Sequence, residues 1–69
     1  MAESSKNNIA KTVQRLREKA GLSQEKLARL ADVSNNTIIN IEAGKQDNPT
    51  FDTLKKISRA FGVKPKDLM

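Results

Sequence analysis

Asn35, Asn36 and Asn40 fall within a stretch, residues 34–41, that contains no Lys or Arg at all. A side-chain amide carries a donor and an acceptor on one planar group. That pair matches N6 and N7 of adenine on a major-groove edge, and each good bidentate match is worth about 1–3 kcal/mol of discrimination. Helix capping and solubility are the plainer explanation. Ser34 already supplies a cap, however, so two adjacent poor helix formers behind it need a further reason. Ile39 lies near the outer surface because Ile38 and Ile41 claim the inner one. An exposed isoleucine is ordinary in itself, yet here it suits the methyl group of thymine. Thr37 can offer a methyl to the same partner or a hydroxyl to a phosphate. Arginine on guanine is the commonest specific base contact, so a stretch with no Arg or Lys is expected to read A·T pairs.

The rest of the composition narrows the chemistry. Cys and His are both absent from the 69 residues, which removes thiol nucleophiles, disulfides, imidazole bases and the commonest zinc ligands. With carboxylates scattered singly, neither catalysis nor a metal or other cofactor is expected. The length suits one small domain with a core just large enough to fold. A net charge of +5 favours an anionic partner, either nucleic acid or an acidic membrane surface. No apolar run approaches the roughly 20 residues of a membrane span, and the N-terminus lacks the apolar region of a secretory signal. A cytoplasmic protein, nucleoid-associated when bound and of bacterial or phage origin, is expected.

These side chains need short helices to hold them. Residues 1–7 read as a flexible tail and 8–69 as the domain. Ile9, Val13, Leu16 and Ala20 recur at helical spacing and Gly21 can end that helix. Ser23 caps a short second helix over residues 24–31, with Glu25 in its positive first turn. Asp32 and Val33 form a turn, Ser34 opens the third helix, and Ala43, Gly44 and Lys45 close it. Residues 46–49 have loop chemistry before Thr50, the cap of a fourth helix carrying Leu54, Ile57 and Phe61, with Phe51 one turn earlier. Gly62 stops that helix, and Pro65 begins a fragment of a fifth over residues 65–69. No strand-type alternation occurs, so the class is all-α. The expected core is Ile9, Val13, Leu16, Leu27, Leu30, Val33, Ile38, Ile41, Leu54, Ile57 and Phe61.

One pattern runs through the whole domain: Leu16-Arg17, then Gly21-Leu22-Ser23-Gln24-Glu25, Val33-Ser34, Ile38, Ile41-Glu42, Gly44, Pro49, Thr53-Leu54, Ile57, Phe61-Gly62-Val63 and Leu68. It resembles the phage-repressor and Cro type of helix-turn-helix, the XRE family, over residues 8–69. The resemblance implies a five-helix, lambda-repressor-like domain in which helices two and three form the helix-turn-helix. It implies binding to duplex DNA, commonly as a homodimer on a palindromic operator, and regulation of transcription, here expected to be repression. Gln24 matches a glutamine that bonds a phosphate and braces the first reading residue. Arg17 and Glu42 match a structural ion pair tying helix one to the recognition helix. Val63, Pro65, Leu68 and Met69 resemble the dimer contact of several phage repressors, or the stub of a further domain.

With no cation in residues 34–41, phosphate affinity must come from elsewhere. Ser34, Thr37 and Gln24 are candidates, with Lys45 after helix three, Lys11 and Arg15 on helix one and Lys6 in the tail. A solvated charged face is the plainer reading of the scattered lysines and arginines. Asp47 beside Lys45 and the absence of a basic cluster in the following loop argue against minor-groove readout. Two phenylalanines, with no Tyr or Trp, give little support to single-strand binding by stacking. The competing class is a protein-interaction module, antitoxin-like or coactivator-like, on the same fold. Salt-dependent duplex binding separates the two.

Overall fold

A computed structural model describes residues 9–45 and 49–68. The expected tail over residues 1–7, Lys6, Met69 and most of the loop before Pro49 lie outside these. The elements are α1 (Ile9–Lys19), α2 (Gln24–Ala31), α3 (Asn35–Glu42), α4 (Phe51–Phe61) and a 3-10 turn, Pro65–Leu68. No strand occurs among the described residues, and the all-α class holds. The fifth helix is a single 3-10 turn; four residues cannot develop an α-helical ladder.

Each expected cap forms. Ser23 Oγ accepts from the Lys26 amide at 3.1 Å, Ser34 Oγ from the Thr37 amide at 3.1 Å and Thr50 Oγ1 from the Thr53 amide at 3.2 Å. Asp32 ends α2 in the left-handed region, at φ 60°. The amide of Val33 then returns to the Ala28 carbonyl at 3.0 Å, the closure that turns the chain into α3. Asp tolerates this conformation better than most residues that carry a Cβ.

α2 packs against α3 and α4, α1 against α3, and the 3-10 turn against α4 and α1. Their shared core is Ile9, Val13, Leu27, Ala28, Ala31, Ile38, Ile41, Leu54, Ile57 and Leu68, with Leu16, Val33 and Phe61 half-buried at its edge. Leu30 departs from expectation: it is 62% exposed. On α2 the core arc is set by Leu27, Ala28 and Ala31, and at about 100° per residue Leu30 falls outside it. Its place in the core is taken by the two alanines, which let α3 and α4 approach α2 closely.

Candidate nucleic-acid interface

α3 presents two unlike faces. Ile38 and Ile41 are fully buried, whereas Asn35 and Asn36 are exposed, Ile39 is 38% exposed and Asn40 is half-buried. At about 100° per residue, Asn36, Ile39 and Asn40 share an arc of about 100°, with Asn35 at its margin and the two buried isoleucines opposite. The structure therefore brings the expected base-reading residues together on one solvent-facing surface. At the head of α3 the Ser34 and Thr37 hydroxyls are 2.8 Å apart while Ser34 also caps the Thr37 amide. One hydrogen bridges the two oxygens, so one hydroxyl hydrogen is left for an outside acceptor.

The opposite end of α3 is bolted to its neighbours. Glu42, its side chain 4% exposed, accepts from Arg17 Nε at 2.7 Å and Nη2 at 3.1 Å, and Arg17 Nη1 donates to the Leu22 carbonyl at 2.8 Å. The expected ion pair is thus present and bidentate. It raises the Arg17 pKa, the hydrogen bond to Glu42 leading and burial opposing. A contact that the sequence did not announce completes the group: Gln24 Nε2 donates to Glu42 Oε1 at 3.0 Å. Gln24 and Glu42 lie 18 positions apart, so only packing of α2 on α3 makes them neighbours.

The remaining candidates are spread out. Lys11 and Arg15 are exposed on α1, and Lys45 is exposed beyond α3. The Lys45 amide bonds the Asn40 carbonyl at 2.9 Å, closing the helix, so only its side chain remains for an anion. Leu68, expected at a dimer contact, is fully buried in the monomer core and its side chain cannot serve there. Val63 and Pro65 do line a surface groove, together with Phe51, Lys55, Ser58, Arg59 and Lys64. Phe51 is 63% exposed and carries Lys55 Nζ 5.8 Å above its ring centre. The sequence placed Phe51 one turn before the Leu54, Ile57, Phe61 stripe, and the structure instead leaves it at the exposed edge of α4. Among the described residues there is no cluster of metal-ligating side chains, and no helix is long and apolar enough to cross a membrane.

The model of the HTH_3 helix-turn-helix family matches residues 13–68. The chain belongs to this family, the XRE-type helix-turn-helix proteins. HTH_3 is a family of DNA-binding transcription regulators. The HTH_3 chain is similar to control protein C.BamHI of Bacillus amyloliquefaciens, 47% identical over 51 residues, which cover 74% of this chain and 62% of that protein. The match therefore spans less than two thirds of that relative. This chain is also 49% identical to an uncharacterized HTH-type transcriptional regulator of Methanocaldococcus jannaschii over 47 residues, 68% of this chain and 70% of the relative. Its fold superposes on the crystal structure of the restriction-modification controller protein C.AhdI from Aeromonas hydrophila with a TM-score of 0.85 at 26% identity, covering 96% of this chain and 98% of that one.

Proposed function

We propose that this HTH_3 protein is a sequence-specific double-stranded DNA-binding transcription regulator that docks α3 in the major groove and represses by occupying promoter DNA. The observation that carries the reading is the surface of α3: Asn35, Asn36, Ile39 and Asn40 turn to solvent on a helix whose other end is fixed by Arg17 and Glu42. Amides held on a rigid helix are what bidentate pairing with adenine requires, and Ile39 suits thymine. The half-site is A·T-rich. Gln24, Ser34, Thr37 and the side chains of Lys45, Lys11 and Arg15 supply phosphate anchorage, which fixes register without reading sequence.

Similarity to C.BamHI and C.AhdI supports a controller of the restriction-modification type. The protein acts as a homodimer on a palindrome, with half-sites about one helical turn, roughly 34 Å, apart. Phe51, Val63 and Pro65 form the dimer contact. It works in the cytoplasm, on the nucleoid.

Selection of bound duplexes from a random pool, repeated at several salt concentrations, tests this. The expected result is an A·T-rich palindrome with a steep salt slope. Converting Asn35→Ala together with Asn36→Ala should then abolish discrimination at the matching positions in a protein that still folds. Unchanged discrimination would refute the recognition surface. No duplex binding at all would move the chain to the protein-interaction class.

A further inference from the structure

The bond between Gln24 and Glu42 has a consequence for how the protein meets DNA. Glu42 as a carboxylate has only acceptors, so the Gln24 amide can face it in one orientation alone, nitrogen inward. One amide hydrogen is taken by Glu42 Oε1 at 3.0 Å. No buried polar side-chain atom is left without a partner among the described residues, and Gln24 is half-exposed. Among the described residues no other group bonds the Gln24 side chain, which leaves its second amide hydrogen and its carbonyl oxygen to solvent or to a ligand. An amide free to flip would offer a phosphate either a donor or a repelling acceptor. The carboxylate removes that choice.

A bare anion behind Gln24 would also repel a phosphate in front of it. The two bonds from Arg17 Nε and Nη2 place a full positive charge on the same carboxylate, at 2.7 and 3.1 Å. The three side chains thus run from a half-buried cation, through a buried anion, to a neutral donor that is half-exposed.

We propose that Glu42 is a positioning residue for Gln24, fixing its amide so that a single N–H is delivered to one DNA phosphate while Arg17 cancels the charge behind it. This rests on the DNA-binding reading above. It makes the Arg17–Glu42 pair part of the binding machinery as well as of the fold, and it makes Gln24 an anchor blind to sequence.

A double-mutant cycle on duplex affinity tests it, using the selected operator and a scrambled duplex. Gln24→Ala should weaken both duplexes about tenfold, the low end for a hydrogen bond to a charged group. The salt slope should not change, because a neutral donor displaces no counterion. Glu42→Gln should cost a similar factor in the wild type and less than twofold once Gln24 is already Ala. Equal costs of Glu42→Gln in both backgrounds would overturn the proposal and leave Glu42 a purely structural residue. Loss of discrimination with Gln24→Ala would overturn it too, by making Gln24 a base reader.

If Glu42→Gln does not fold, the side-chain amide of Gln24 in 15N-labelled wild-type protein decides. One of its two protons should be shifted downfield before DNA is added and the other only afterwards. Two protons that move together, or the first losing its shift on binding, would refute the fixed amide. A wild-type protein that binds no duplex removes the DNA reading itself, whereas binding with additive losses removes this inference alone.

Discussion

Replacing Arg17 by Met keeps the apolar stem of the side chain and removes the guanidinium with its charge, which isolates what the ion pair contributes to the fold. Three hydrogen bonds disappear: two to Glu42 at 2.7 and 3.1 Å and one to the Leu22 carbonyl at 2.8 Å. Glu42 keeps only Gln24. The side chains are 14% and 4% exposed, so water can neither screen the pair effectively nor resolvate the stranded carboxylate. Removing one partner of such a pair costs about 3–5 kcal/mol. At typical stabilities per residue, a domain of this size has about 3–10 kcal/mol in total. Arg17→Met should therefore leave a protein that is marginal or unfolded at room temperature, measured by urea denaturation followed by far-ultraviolet circular dichroism.

The companion Arg17→Met with Glu42→Leu separates charge burial from packing. With no stranded anion, most of the loss should be recovered, to within about 1.5 kcal/mol of wild type, because an apolar pair of similar volume commonly matches a buried ion pair. A loss below about 1 kcal/mol for Arg17→Met alone would refute the argument, since it would mean the carboxylate is solvated after all. The pair should be insensitive to alkali. The Arg17 pKa is raised, so its contribution is complete below the unfolded-state value and is lost only as pH climbs through the raised one, beyond any working range.

Other expectations follow from burial and backbone geometry. Leu27→Ala should cost about 2–5 kcal/mol and Leu30→Ala no more than about 0.5, in thermal or urea melts, since the first is fully buried and the second 62% exposed. Gly62→Ala should cost about 1–2 kcal/mol through its backbone alone, because φ is +74° while no heavy atom lies within 4 Å of an added Cβ. A loss much larger than this would expose an unseen clash. Phe51→Ser with Val63→Ser should weaken self-association at least tenfold in sedimentation equilibrium without lowering helix content; unchanged association would remove this groove as the dimer contact.

The helices were legible because their signals are local. Ser23, Ser34 and Thr50 stand immediately before apolar stripes and each caps the helix it precedes. The outer face of α3 was legible for the same reason: Ile38 and Ile41 define the inside, and a rotation of about 100° per residue assigns everything else. Nothing beyond eight consecutive residues is needed to put Asn36, Ile39 and Asn40 outside.

What escaped that logic is whatever depends on the element lying opposite. Leu30 and Leu68 show it as a pair. Leu30 belongs to a plausible stripe on α2, but small Ala28 and Ala31 let α3 and α4 come close on one side, and nothing among the described elements covers the other. Leu68 sits in a 3-10 turn too short to have a stripe, yet α1 and α4 close around it completely. The Gln24–Glu42 bond belongs to the same class. Each residue is unremarkable in its own helix, a good helix former in a first turn and a carboxylate in a last one. The α2 to α3 turn brings the start of one helix to the end of the next, and Glu42 then faces Arg17 and Gln24 at once. Helical periodicity can say which residues face outward; it takes the packed turn to say which way an outward amide is pointed.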